Sequence, residues 1–256
     1  MNLPDSYFEG KGRILDLGGW FKPEPRATHV VDYLPWETRG ATLNLERLPG
    51  ERFTRETWFQ VDFLKADLRL PFEDKSFDIV LCGQTVEDLA APESLLREMQ
   101  RVGRAGVVEC PSRLTEQTIG VRDRMGKRPG HPHHHWIVES TGRDLLLYSK
   151  GDSLLSSTAT LIPLNLTDTL RNQHPEAGTV SHFWSGDLNF SMMPPTACAE
   201  RARDFVASLN ISRSDRLRDG VLRFARRLRA RLQGKGSEDN SWWSAIVEKS
   251  RTYGSI

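Results

Sequence analysis

Arg13-Ile-Leu-Asp-Leu-Gly-Gly19 (RILDLGG) and Thr28-His-Val-Val-Asp32 (THVVD) decide the architecture. Each is a compact apolar run between polar residues, the pattern of a strand buried on both faces. The first run ends in an acid and two glycines, and the second ends in Asp32, sixteen residues after Asp16. Roughly a dozen residues join them, Pro23 and Pro25 among these, which leaves no room for a full crossover helix. The pair is a shortened βαβ unit.

Further along, Ser76 to Cys82 (SFDIVLC) predicts a third buried strand and Ala105 to Glu109 (AGVVE) a fourth, ended by Pro111. Between them Pro92 opens a helix to Val102 with Leu95, Leu96 and Met99 on one face. Trp58 to Asp62 (WFQVD) reads equally as strand or loop, and Pro71 to Asp74 reads as a turn. Past Ser112 the pattern changes. Arg113 to Gly130 is polar and leads into His131-Pro132-His133-His134-His135. Two hairpins are then expected, Trp136 to Ser140 with Asp144 to Ser149, and Val180 to Trp184 with Leu188 to Met192 around Ser185-Gly186-Asp187. Thr196 to Leu209 and Ser214 to Leu232 have helical periodicity. The expected divisions are 1–112 as the ligand-binding α/β core, 113–195 as substrate-side loops and hairpins, and 196–256 as a helical, basic extension.

The 256 residues carry 35 Lys+Arg against 34 Asp+Glu and are 38% hydrophobic, which excludes collagen-like, disordered and membrane-embedded classes. The start, MNLPDSYFEGKGR, lacks the apolar stretch of a signal peptide, so a cytoplasmic location is expected. Cys82, Cys110 and Cys198 are odd in number and far apart, which suits small buried hydrophobes better than disulfides or a zinc knot. Nine basic residues between Arg213 and Lys235 face only Asp215 and Asp219, a local charge of +7 that leaves −6 elsewhere. Phosphate binding needs cations around the working cleft, so nucleic acid is not the expected partner. On this basic helix Leu217, Val221, Phe224, Leu228 and Leu232 form a narrow stripe. The stripe either packs on the domain or lies on an anionic membrane surface, with RNA contact a third use. Adjacent Trp242 and Trp243 suit docking onto the body or a partner.

The glycine turn presents backbone N–H groups at the carboxyl end of the sheet, where open α/β folds bind ligands, and the Asp32 carboxylate is placed to accept ribose hydroxyls. A dinucleotide needs a third glycine and a helix N-terminus that are missing here, so a nucleoside cofactor without phosphates fits better. ILDLGGWFKP, HVVDYLP, ADLRLPFEDKSFDIVLCGQTVEDLAAPESLLREMQRV and AGVVECPS, in that order, resemble the class I S-adenosylmethionine-dependent methyltransferases over about Arg13 to Ser112. The resemblance implies a Rossmann-like sheet, extended here by antiparallel hairpins and a helical C-terminus. It implies that Asp16 and Gly18 line the methionine part of the cofactor, Asp32 the ribose, Asp67 and Leu68 the adenine, and Gln84 the sulfonium end, with Gly19 and Tyr33 also cofactor-binding. Gly18-Gly19-Trp20 departs from the family's spaced glycines, and Glu87-Asp88 stands where many relatives carry Glu-His. Asp16 serves equally well as a structural acceptor for the loop's own amides.

The sulfonium is already an activated electrophile, so the protein has to align an acceptor and remove its proton. His133, His134 and His135 are the candidate bases, with alternation placing His133 and His135 on one face. Two other uses stay open: a divalent site such as Mg2+ held by two histidines with Glu109 or Glu139, and histidines as loop hydrogen-bonding residues. His182 either joins them or is a strand histidine. The expected reaction is O-methylation of a hydroxyl on a saccharide or small metabolite. A noncatalytic docking module of the same fold and an RNA methylase are the alternatives.

Overall fold

The computed structural model describes residues 1–39, 50–65, 67–121, 128–151 and 158–232. Trp242, Trp243 and Lys235 lie outside them. The chain divides into two compact units: Met1–Glu109 with Ser181–Asn189, and Cys110–Val180 with, of the described residues, 190–232. Residues 181–189 return to the first unit, while the described helices of the C-terminal stretch group with the second.

The first unit is built on β1 (Ile14–Leu17), β2 (His29–Asp32), β3 (Trp58–Gln60), β4 (Ile79–Gly83), β5 (Ala105–Pro111) and β8 (Thr179–Ser185), in spatial order β3-β2-β1-β4-β5-β8. Every pairing from β3 through β5 is parallel. The short WFQ stretch is thus a strand, β3, set beside β2. β1 and all but the last residue of β4 are buried at each position, as apolar runs without alternation predict. On one face Ile14, Val30, Ile79, Leu81 and Val107 form a core with Phe8, Trp20, Ala27, Leu34, Phe53 and Trp58. The 18–28 connection is a loop, as its prolines dictate, and Trp20 and Ala27 supply the apolar cover a helix would have given. Asp78 anchors the entry to β1, accepting from the N–H groups of Gly12 (2.8 Å) and Arg13 (3.0 Å), and these bonds hold its carboxyl below the usual range. It is a structural residue.

Helix α1 (Glu93–Val102) follows Pro92 and buries Leu95, Leu96, Met99 and Val102. Its polar side fixes the Asp67 to Asp74 segment: Leu70 N–H donates to Glu98 Oε2 (2.7 Å), and Arg101 donates to Phe72 O (2.7 Å), Leu70 O (3.0 Å) and Asp74 (2.8 Å).

The second unit holds α2 (Arg113–Glu116), β6 (Trp136–Ser140), β7 (Asp144–Ser149), α3 (Leu164–Gln173), most of β9 (Asn189–Met193), α4 (Pro195–Ser208) and α5 (Arg213–Leu232). β6 and β7 form the expected antiparallel hairpin, and β9 joins β7 as a third strand. The second expected hairpin does not form. Its two strands enter different sheets, β8 beside β5 and β9 beside β7. The reason is burial: Trp184 packs where Gly103 and Gly106 leave room, since a Cβ on Gly106 would stand 2.8 Å from the indole, and His182 is buried in the same strand. All three cysteines are buried.

Helix α5 docks through its polar side. Asp219 is buried and accepts from Arg223 Nε (2.7 Å) and Asn165 N–H (3.4 Å), while Arg216 donates to Leu161 O (2.9 Å). The stripe of Leu217, Val221, Phe224, Leu228 and Leu232 stays between 48% and 80% exposed, so packing on the domain is not its use in the described structure. None of the described helices is long and apolar enough to cross a membrane.

Candidate active site

The carboxyl ends of β1, β2 and β4 gather most of the residues assigned to a nucleoside cofactor. Asp32 closes β2 as a buried carboxylate whose Oδ2 accepts Trp20 N–H (3.0 Å) and whose Oδ1 accepts Leu34 N–H (2.8 Å). Burial raises its pKa to about 6, against the pull of amide hydrogen bonds from Leu34, Trp20 and Tyr33. A carboxylate has about four acceptor directions, so one held by these amides keeps capacity for a hydroxyl. Tyr33 is exposed beside it.

Asp16 and the glycines take a different part. Asp16 is buried, and its Oδ2 accepts Glu24 N–H at 2.7 Å. A Cβ on Gly19 would stand 2.8 Å from that same oxygen. Gly18, at φ +75°, donates its N–H to Val31 O (2.9 Å), and any side chain on it would collide with Thr85. Asp16, Gly18 and Gly19 thus brace the loop, letting it pass close to Thr85 and Asp16. Desolvation pushes Asp16 up to about 7.

At the end of β4, Gln84 is exposed, sits at φ +54° and donates its N–H to Glu109 O (2.8 Å). A left-handed backbone at a non-glycine residue persists only where neighbours fix it, and it concentrates at functional sites. Met1 was missed by the sequence reading. Its side chain covers Gly83, where a Cβ would lie 3.3 Å from Met1 Cε, and its amino group is 3.5 Å from Glu109 Oε1. No pattern in the sequence marks this long-range contact. Of the adenine pair, Leu68 is buried and Asp67 exposed, on the segment α1 holds. The buried Asp32 carboxylate, with an acceptor direction left over, is chemically suited to a ribose hydroxyl.

In the second unit the histidine segment turns. Pro132 and His133 form the turn, and His134 N–H donates to His131 O at 3.2 Å, so the alternation expected for an extended strand is absent. The rings of His131, His133 and His134 pack together, with centroids 4.5–5.8 Å apart. His134 is buried and its Nδ1 lies 2.9 Å from Glu116 Oε1, while His135 is exposed. The carboxylate beside the histidines is thus Glu116. Glu139 lies between Arg113 and Arg201 (3.1 Å), and Glu109 meets Met1 and Ser181 (3.4 Å). A separate recess of about 520 Å³ in this unit is lined by Arg113, Glu139, His174, Arg201, Phe205 and Leu209 among others.

Comparison with known proteins bears on the first unit. Residues 38–108 match the family model described as a methyltransferase domain. Among solved structures, an S-adenosylmethionine dependent methyltransferase from Mesorhizobium loti is 18% identical over 80% of this chain and 76% of its own, with a TM-score of 0.36. A Bacillus halodurans chain (21% identity, 41% of this chain, TM-score 0.30) and the YcgJ protein of Bacillus subtilis (20%, 39%, 0.29) are also similar. This chain spans 46% and 44% of the length of those two. No curated protein matches. The matched segment, together with the parallel β3-β2-β1-β4-β5 order, defines a class I, Rossmann-like methyltransferase fold.

Proposed function

We propose that this chain binds S-adenosylmethionine at the carboxyl ends of β1, β2 and β4 and directs its methyl group to a hydroxyl of a saccharide or small metabolite. The observation that carries this reading is Asp32, a buried carboxylate oriented by main-chain amides at the end of β2. When bound, the cofactor supplies an electrophilic methyl on a sulfonium. The chain's own residues orient it: Asp32 accepts from the ribose, Leu68 and Tyr33 flank the nucleoside, and Gln84 borders the reacting end. Of the 133–135 segment, His135 is exposed and outside the packed rings, and it is the residue to which this reading gives the role of base.

A second reading rests on the glycine turn, whose close packing against Thr85 and Asp16 also suits a fold retained for docking. Calorimetric titration with S-adenosylmethionine and S-adenosylhomocysteine separates the two. One site per chain, weakened in Asp32→Ala, supports the enzyme. Absence of binding by the folded wild-type protein replaces it with the docking module.

We also propose that α5 places the protein on an anionic membrane surface. Its apolar stripe faces outward, and arginines 213, 218, 226, 227, 229 and 231 flank it on the same helix.

A further inference from the structure

We propose that His131, His133 and His134 form a binding site for a divalent transition-metal ion of the zinc type, with Glu116 as the outer carboxylate that positions His134. The proposal stands apart from the methyl-transfer reading and uses residues of the second unit only. The three histidines each offer one ring nitrogen, and these atoms lie within 4.8 Å of one another. In a tetrahedral zinc site with Zn–N of about 2.0–2.1 Å, ligand nitrogens are about 3.3 Å apart. Closing that difference takes rotation of the imidazoles, of which His133 is the exposed one.

The surroundings are built to hold such a ligand set. His134 Nδ1 is 2.9 Å from Glu116 Oε1, which fixes the tautomer and makes Nε2 the atom His134 gives to a metal. A carboxylate behind a histidine is the usual outer partner of a metal-bound imidazole. Glu116 is only 1% exposed, and Lys150 Nζ engages its other oxygen, so the carboxylate is locked in place. The same Lys150 Nζ donates to His131 O (2.8 Å), and Lys150 N–H donates to His135 O (2.8 Å), which ties both ends of the histidine turn to one residue. Gly130, at φ +53°, lets the chain enter the turn against Glu116, because a Cβ there would stand 2.5 Å from Glu116 Oε2 and 2.7 Å from its backbone.

The donors decide the metal class. Three imidazoles suit Zn2+, Co2+, Ni2+ or Cu2+, whereas Mg2+ and Ca2+ require oxygen ligands. Three protein ligands leave a tetrahedral ion one open position, the arrangement that admits water or a substrate oxygen.

The test uses the full chain without a polyhistidine tag, stripped with a chelator and titrated with Zn2+ against a chromophoric competitor. About one Zn2+ per chain is expected, with no competition from millimolar Mg2+. His133→Ala, at an exposed position that leaves the fold intact, should weaken binding at least tenfold, and Glu116→Gln about tenfold. His135→Ala and His174→Ala should leave it unchanged. Co2+ should give the intense visible bands of a tetrahedral site, lost in His133→Ala. The proposal is overturned if the wild-type protein holds no more Zn2+ than His133→Ala does, or if His135→Ala weakens binding as much as His133→Ala.

Discussion

Trp20 and Asp32 are joined across the first crossover: the Trp20 amide donates to Asp32 Oδ2 at 3.0 Å while the indole Nε1 reaches Thr38 Oγ1 at 2.8 Å. One residue therefore both covers the sheet and aims the carboxylate that would meet a ribose. Asp32→Ala should weaken S-adenosylmethionine binding at least tenfold by calorimetry, since a hydrogen bond to a charged group contributes about 1.5–3 kcal/mol. Because burial places its pKa at about 6, wild-type affinity should fall as the pH drops below that value, and Asp32→Asn should flatten the profile.

Asp16 links stability to pH. Its folded pKa, about 7, lies above the ordinary aspartate value of 3.8, so the folded chain binds the proton more tightly than the unfolded chain. The resulting stabilisation is complete below about pH 4 and is lost as the pH rises to 7. Asp16→Asn, which keeps an acceptor for the Glu24 amide, should show a smaller decline in melting temperature between pH 5 and 8 than the wild type. An equal decline in both proteins would show that Asp16 stays ionised throughout.

Gly106 is the point at which β8 meets the sheet. A methyl group there collides with the Val80 carbonyl and presses on Trp184, and overpacking of this kind costs about 1–3 kcal/mol. Gly106→Ala should lower the thermal midpoint by several degrees, and adding Trp184→Phe should recover only part of the loss because the carbonyl remains.

Glu139 serves two arginines of unequal burial. Arg113 is 3% exposed and Arg201 is exposed. Glu139→Ala removes the anion from the buried guanidinium and leaves it the Gln117 Oε1 acceptor (3.2 Å) and the Tyr148 ring, a change worth about 3 kcal/mol, whereas Arg201→Ala should stay within about 1 kcal/mol. Chemical denaturation of the two variants measures the difference.

For α5, flotation with vesicles containing phosphatidylglycerol should carry the wild-type chain, and pure phosphatidylcholine should carry much less of it. Leu217→Glu with Phe224→Glu should abolish flotation without changing the circular dichroism spectrum, because both side chains are exposed. Flotation unaffected by these changes would remove the stripe from the mechanism.

The strands β1, β2, β4 and β5 and helix α1 were legible because their signals are local: apolar runs, a proline at a helix start, a glycine turn. β3 was ambiguous since three residues with graded burial carry no periodicity. Ser185-Gly186-Asp187 is a good turn, yet the partners of Trp184 are Gly103 and Gly106, about eighty residues earlier, which no local rule supplies. Helix α3 went unread because its apolar residues, Leu164, Leu166 and Leu170, form a weak stripe. At the site, Asp32 was placed by its strand, while the bonds of Asp16 to the Glu24 amide and of Gly18 to Val31 O join parts of the chain that no local pattern pairs. The periodicity of α5 gave the stripe and not its direction, which Asp219 sets by being buried.

The return of 181–189 to the first unit has a temporal consequence. Ribosomal synthesis delivers β5 about seventy residues before β8, so its outer edge has no partner until the intervening residues 112–178 have emerged. An unpaired edge of that kind is the surface on which nascent chains mispair, and pairing across so long a separation is slow. The length of the intervening segment sets that interval, which makes chaperone demand during expression a property of where β8 lies in the chain.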